Sequence, residues 1–359
     1  MGEALRAAGK DRLVPRAKAR DVKLTRARVL AAGAAAGTFA SIGILRWPGQ
    51  AAQFTLKLGN DQLPTHPMSM ATADAIKRIT DASNGQLAIN LFGNSALGGD
   101  TEMLSQLRSG ALELMQVGNN ILGAVIPAAS LLSIPFAFRS AAQFEAASEG
   151  PLGAYIGAAG EKLGLRKFPS AFYGGFFHVH NRIRPIEKPS DLAGLKIRVP
   201  AGPIDVGTFK ALGAAPTVVN LSEVYTALQA HLVDGIDVPL PTLIFFTFYE
   251  QVKFSSLTSH IGLSYFLFAN GDAWNKLPKK LQDLVEHEMS AAAVTASKGM
   301  AAQEVSIVDR LSGLGVSVNR PAPEPSAQTI RASGMYKTWR DQFDPKGWDE
   351  LEKTTGKLT

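Results

Sequence analysis

The chain has 359 residues, enough for two domains or one large one with a sizeable core. It contains no cysteine, which excludes disulfides, thiol catalysis and cysteine-ligated metals. The formal charge is +6, but residues 1–50 carry ten basic and three acidic side chains, so residues 51–359 sum to −1. Nucleic-acid binding needs a concentrated basic face on the folded part. We therefore expect no nucleic-acid partner.

The basic N-terminal segment has the layout of an export signal. A basic run ends at Arg28, and residues 29–45 are uncharged and apolar or small. Arg46-Trp47-Pro48 interrupts this stretch, and Ala51 and Ala52 offer small residues for cleavage. The pattern predicts an export signal over residues 1–52, which resembles a twin-arginine signal with one arginine displaced, and a soluble periplasmic mature chain. An uncleaved membrane anchor is the alternative, because the apolar stretch is at the lower length limit for spanning.

Strand and helix patterns alternate in the first part of the mature chain. Residues 54–58 alternate as a strand, a helix follows from Pro67, and residues 87–91 form a second strand. A second helix ends at Gly110, and a third strand covers residues 112–116. Strand–helix–strand order is typical of a parallel sheet, and the loops that follow its strands should gather at one edge.

The alternation begins again after residue 171. An aromatic β-prone run covers 171–181, and Leu195–Val199 follows as a strand behind a helical turn that we expect Ser190 to cap. Short strands are predicted at 216–219 and 233–237, and a long apolar strand at 264–269. Two separate helices are expected in the last part, one from Leu277 and one over 291–311. The sequence thus predicts an α/β protein with two lobes.

Arg198 is the strongest candidate for a binding residue. It is the penultimate residue of its predicted strand, just before the loop Pro200–Pro203. In open α/β sheets ligands bind at the carboxyl ends of strands, and a guanidinium can hold a carboxylate through two parallel hydrogen bonds. The plain alternative is a solvent-facing arginine on the polar side of the strand.

Catalytic and metal-binding motifs are weak in this sequence. His178 and His180 share one face of a strand, but a zinc site usually needs three or four ligands. Asp234 and Asp237 could act as paired carboxylates, although nothing else in the sequence marks either one as catalytic. We expect no metal and no cofactor, and a binding protein rather than an enzyme.

Several motifs in order resemble the solute-binding proteins of tripartite ATP-independent periplasmic (TRAP) transporters, the dicarboxylate-binding DctP family. The segments that carry the resemblance are Asn84-Gly85-Gln86, Leu91–Gly98, Leu107–Ala111, Pro189–Val199, Glu223–Gln229, Val233-Asp234-Gly235, Phe248-Tyr249-Glu250 and Thr258-Ser259-His260. The resemblance implies a two-lobed, type II-like periplasmic binding protein, with a mixed sheet flanked by helices in each lobe and a ligand cleft between them. It also implies that Arg198 holds the ligand carboxylate and that a TRAP membrane permease receives the ligand. We expect lobe I at 53–175 with 264–303 and lobe II at 176–263 with 304–359.

Two departures from the family pattern affect the expected ligand. Phe177 or His178 stands where a second arginine is frequent, and Val238 stands where an asparagine usually contacts the ligand. A less polar pocket favours a monocarboxylate that is apolar at its far end. The alternative is that Asp61, Asn119 or Asn220 supplies the missing polar contacts and the ligand is a conventional one. We expect a monomer. The other functional alternatives are a periplasmic sensor and an exported enzyme that uses Asp234, Asp237 or His178.

Overall fold

A computed structural model describes residues 52–358, except for the side chain of Val305. The predicted export signal and its membrane-anchor alternative therefore lie outside the described residues, apart from Ala52. Within the described part, no helix has the length and apolar character needed to cross a bilayer.

The strands are β1 Phe54–Gly59, β2 Leu87–Phe92, β3 Leu114–Gly118, β4 Leu165–Asn181, β5 Lys196–Val199, β6 Ala215–Val218, β7 Gly235–Pro239, β8 Phe254–Ser256, β9 Gly262–Asn270 and β10 Ser317–Asn319.

The α-helices pack around these strands. They are α1 Pro67–Ala82, α2 Asp100–Ser109, α3 Asn119–Leu122, α4 Ala141–Glu149, α5 Pro151–Glu161, α6 Pro203–Ala211, α7 Val224–Gln229, α8 Leu240–Phe245, α9 Gly271–Asn275, α10 Lys279–Gly313, α11 Glu324–Ala332, α12 Met335–Gln342 and α13 Pro345–Thr355. Short 3-10 helices cover Pro127–Ser133, Pro189–Leu192, Leu221–Glu223 and Phe248–Gln251.

The strands form two mixed sheets that share β4. In lobe I the order is β2-β1-β3-β9-β4, with β1 parallel to β2 and β3, and β9 antiparallel to β3 and β4. In lobe II the order is β4-β7-β5-β6, with β5 parallel to β6 and β7. The predicted two-lobed α/β fold is confirmed.

Strand β4 joins the lobes because its two halves pair differently. Residues from Leu165 to Phe176 pair with β9 of lobe I, whereas Phe177 to Asn181 pair with β7 and β8 of lobe II. Gly175 stands at the change of partner with a φ of +96°, and the register with β9 shifts beside it. Such a φ suits glycine, which carries no Cβ.

Two local expectations were wrong. The predicted pair of C-terminal helices is one helix of 35 residues, α10, which packs against α1, α8 and β4. The turn before β5 is not capped by Ser190. Instead Asp191 accepts hydrogen bonds from the backbone N–H groups of Glu187 (2.9 Å) and Lys188 (3.0 Å). A carboxylate can reach back to the residues before the turn and satisfy both donors.

Candidate functional site: a cavity lined by both lobes

Arg198 is buried at the end of β5, rather than facing solvent. Lys196 is exposed on the same strand, but only 3% of Arg198 is accessible. Its Nε donates a hydrogen bond to the backbone carbonyl of Val219 at 2.8 Å, from the loop that follows β6. This bond uses one of the five N–H groups of the guanidinium. Among residues 52–358 no other hydrogen bond from this side chain is found, and the guanidinium lines a cavity.

The cavity lies where elements of the two sheets face each other. Its free volume is about 30 Å³, which is room for only one or two water molecules. An organic acid is larger than this free volume. The polar lining residues are Asp61, Asp100, Asn120, Arg198, Thr242 and Tyr265; the apolar ones include Ile121, Phe177, Leu221, Val238 and Leu263.

Four buried aspartates act electrostatically on the Arg198 guanidinium. Burial lowers the Arg198 pKa, and the charges of Asp237, Asp100, Asp205 and Asp61 oppose that shift, with Asp237 acting most strongly. Arginine remains charged in proteins because its intrinsic pKa is so high. One buried cation thus faces four carboxyl groups, and burying so many unbalanced charges is costly unless some are protonated or paired.

Asp61 and Asp100 come from lobe I and line the cavity directly. Asp61 follows β1, and its Oδ1 accepts a hydrogen bond from Gln62 Nε2 at 3.1 Å. The same Nε2 also donates to the Tyr265 hydroxyl at 2.6 Å. Asp100 is the first residue of α2. Burial raises the pKa of Asp61 well above its ordinary range, with a further contribution from the Asp100 charge, and burial raises the pKa of Asp100 to about 6.

Asp205 and Asp237 are fully buried in lobe II and do not line the cavity. Neither carboxylate has a hydrogen bond of good geometry within the described chain. Burial, and secondarily the Asp237 charge, raise the pKa of Asp205 to about 8. Nε2 of His260 lies 3.1 Å from Oδ1 of Asp237, near enough for an ion pair, but its orientation does not make a hydrogen bond.

The structure brings four of the seven predicted site residues to the cavity. Arg198, Asp61, Phe177 and Val238 line it. Phe177 lines the cavity and His178 does not. The two residues are neighbours on β4, where successive side chains point to opposite faces.

The other three predicted site residues have structural contacts instead. His178 Nδ1 accepts a hydrogen bond from the Ser259 backbone N–H at 3.0 Å. Asn119 Nδ2 donates to Ser133 Oγ at 2.8 Å, and its Oδ1 accepts from the Ser264 N–H at 2.8 Å. Asn220 packs against Gly99, since a Cβ there would lie 2.7 Å from the Asn220 Cγ.

Sequence reasoning missed several polar residues of the cavity. Asp100 looks like an ordinary acid at the start of a helix, and Tyr265 like a core residue of a long apolar strand. Asn120 stands beside the predicted Asn119 at the start of α3, where only the backbone decides which amide faces the cavity. The run Gly98-Gly99-Asp100 is the one available signal, because glycines permit a close approach to the opposite lobe.

The residues considered for catalysis or metal binding form structural ion pairs and hydrogen bonds instead. Asp234 pairs with Arg182 at 3.1 Å and accepts the Lys196 backbone N–H at 2.9 Å. His180 contacts Ser255 Oγ and the Val238 carbonyl at 2.9 and 3.1 Å. In the part of the chain that the structure describes, no three histidine or acidic side chains are arranged to hold a metal ion.

Comparison with known proteins gives a consistent result. The family model of bacterial extracellular solute-binding protein, family 7 (DctP), matches residues 59–343. An uncharacterized protein, y4mM of Sinorhizobium fredii, is 31% identical over 338 residues; the match covers 86% of this chain and 62% of that protein.

Two solved structures have similar folds. A TRAP periplasmic solute-binding protein from Xanthobacter autotrophicus with bound β-D-galacturonate is 27% identical, with a TM-score of 0.78, covering 84% of this chain and 99% of that one. A TRAP periplasmic solute-binding protein from Sulfurospirillum deleyianum with bound succinate is also 27% identical, with a TM-score of 0.78, covering 85% and 99%. The present chain belongs to the DctP family of bacterial extracellular solute-binding proteins.

Proposed function

We propose that this protein captures a small organic acid in the periplasm and delivers it to a TRAP membrane permease, with Arg198 binding the ligand carboxylate. The observation that carries this proposal is the placement of Arg198. Its guanidinium is buried at the carboxyl end of β5, lines the cavity and is anchored by a single bond from Nε to Val219. Its remaining N–H groups are suited to two parallel hydrogen bonds with a carboxylate.

The two-lobed construction supports capture rather than catalysis. Closing the lobes removes the ion pair from water, which strengthens its electrostatic interaction. A neutral ligand would leave the buried guanidinium without a compensating charge, so closure discriminates against it. The relatives with bound galacturonate and succinate use the same fold for carboxylates, and we infer the same ligand class here, with export by the N-terminal segment.

The proposal is tested by calorimetry on the mature chain, starting at about residue 53, with a panel of organic acids. We expect at least one acid to bind, and Arg198→Ala to abolish that binding while the circular dichroism spectrum stays unchanged. Arg108→Ala is the matched control, because Arg108 is an exposed arginine at the end of α2. Unchanged affinity in Arg198→Ala would contradict the assigned role, and the lack of any bound acid would contradict the function.

A further inference from the structure

We propose that Asp61 and Asp100 form a second subsite, which accepts hydrogen bonds from donor groups at the end of the ligand away from its carboxylate. The ligand class is then a monocarboxylate with hydroxyl or ammonium donors at that end, and not a dicarboxylate. The inference rests on the proposed function, since it assumes that Arg198 holds the carboxylate. It also replaces the apolar far end that the sequence favours.

The location of the two carboxylates is the first argument. Asp61 and Asp100 line the same cavity as Arg198, but they belong to lobe I, whereas Arg198 belongs to lobe II. A ligand whose carboxylate binds Arg198 therefore presents its other end to a wall that contains two carboxyl groups.

Unused hydrogen-bonding capacity is the second argument. Only 7% of each of these side chains is exposed. Asp61 accepts one side-chain hydrogen bond, from Gln62. Within residues 52–358 no group donates a hydrogen bond to the Asp100 carboxylate. Buried polar groups are normally hydrogen-bonded, and a carboxylate left without donors is costly. Hydroxyl or ammonium groups of a ligand are the donors that would satisfy these oxygens.

The charge of the cavity is the third argument, because it favours some groups at the far end of the ligand over others. Arg198 already has more carboxyl groups around it than it can neutralise. A second ligand carboxylate against the Asp100 carboxylate would add like charge in a closed site, which is strongly unfavourable. A methyl group there would cover the two aspartates without offering a donor. A hydroxyl avoids both penalties, and an ammonium would in addition form an ion pair.

Four acids with the same carbon chain test this inference directly: butyrate, 4-hydroxybutyrate, 4-aminobutyrate and succinate differ only at the fourth carbon. The six-carbon pair D-gluconate and D-glucarate repeats the comparison of hydroxyl with carboxylate in a larger ligand. By calorimetry at pH 7.5 we expect the tighter binder of 4-hydroxybutyrate and 4-aminobutyrate to bind at least about tenfold more tightly than succinate. We expect the same difference between D-gluconate and D-glucarate. A tenfold difference in Kd corresponds to about 1.4 kcal/mol. The ranking of 4-hydroxybutyrate against 4-aminobutyrate identifies the donor.

Asp100→Asn then links the preference to this subsite. The substitution keeps the size of the side chain and removes its charge, so we expect the dicarboxylate penalty to shrink about tenfold. Asp61→Asn serves if Asp100→Asn does not fold, and Asp74→Asn, an exposed aspartate on α1, is the matched control. Succinate or butyrate binding as tightly as the donor-bearing acids, or an unchanged ratio in the folded variant, would overturn the inference. If no acid in either set binds, or if binding survives Arg198→Ala, the proposed function itself fails.

Discussion

The Nε of Arg198 is fixed to the Val219 carbonyl at 2.8 Å, and this bond determines how the guanidinium is presented to the cavity. A planar fork held at Nε keeps its two terminal nitrogens in one orientation. In the proposed function the anchor therefore contributes to carboxylate binding, although Val219 supplies only a backbone group.

A lysine at position 198 tests this relationship. Arg198→Lys keeps the positive charge but lacks a planar fork that can bond Val219 and a carboxylate at the same time. We expect the affinity for the best-bound acid to fall at least about tenfold, or about 1.4 kcal/mol, with little change in Tm. Calorimetry and thermal unfolding measure the two effects. An Arg198→Lys variant with wild-type affinity would mean that charge alone binds the ligand.

The raised pKa of Asp205 predicts that the free energy of unfolding depends on pH. Its pKa is raised from 3.8 to about 8 by burial and by the Asp237 charge. Between these two values the folded chain keeps a proton that the unfolded chain has lost, so this group lowers the free energy of unfolding as the pH rises from about 4 to 8. Each pKa unit corresponds to about 1.4 kcal/mol. We expect Asp205→Asn to reduce the stability lost between pH 5 and pH 8.5.

Urea denaturation at the two pH values measures this effect as a difference between variant and wild type. The difference isolates Asp205, because Asp61, Asp100 and Glu304, whose pKa values are also raised, stay in both chains. Asp74→Asn is an exposed control. Equal losses of stability in wild type and Asp205→Asn would show that Asp205 does not carry its proton in the folded chain.

The sequence alone sufficed for the fold because hydrophobic periodicity reflects burial within each element. Residues 54–58 and 87–91 alternate, and β1 and β2 form there. The placement of Arg198 before a Pro/Gly loop likewise follows from local pattern. Two helices were expected where α10 is continuous, because the apolar stripe of α10 changes its partners along the helix, from α1 and β4 to α8 and β10.

The composition of the cavity depends on contacts between lobes, which no local pattern records. Asp100 becomes a cavity residue only because α2 begins opposite β5, and Asn120 replaces Asn119 because α3 starts at Asn119. The choice between Phe177 and His178 depends on which face of β4 is turned towards the cavity. A shift of one residue turns a side chain to the other face of a strand.

Closure of the lobes predicts a role for Gly99. A Cβ at this position would lie 2.7 Å from the Cγ of Asn220, which belongs to the opposite lobe. The backbone there has a φ of −66°, which alanine adopts freely. Gly99→Ala should therefore leave each lobe folded but impede closure, at a cost of about 1–3 kcal/mol. We expect ligand affinity to fall about fivefold or more.

A second substitution distinguishes this steric effect from other causes. Asn220→Ala removes the amide that the new methyl group would contact, so the Gly99→Ala/Asn220→Ala double variant should recover most of the lost affinity. Calorimetry on the two single variants and the double variant gives the coupling energy. Additive losses without recovery would show that Gly99 and Asn220 do not meet in the ligand-bound protein.

The packing of Gly262 against Phe144 predicts a loss of stability on substitution. A Cβ on Gly262, the first residue of β9, would lie 2.4 to 2.8 Å from three atoms of the Phe144 ring. That ring is completely buried and packs edge-on against Phe138 at 5.1 Å, so it has little room to move. Overpacking of this kind costs about 1–3 kcal/mol, and Gly262→Ala should lower the free energy of unfolding by that amount.

Gly299 on α10 provides the contrasting substitution. Its added Cβ would meet Pro67 at 3.7 Å, an ordinary van der Waals distance, and the position lies inside a helix. Alanine is preferred over glycine in helix interiors by about 0.5–1 kcal/mol, so Gly299→Ala should raise the free energy of unfolding by a similar amount. Urea denaturation of both variants measures the opposite signs. A Gly262→Ala variant as stable as Gly299→Ala would mean that the Phe144 ring moves aside at low cost, and that the core beside the lobe junction is less tightly packed than its contacts indicate.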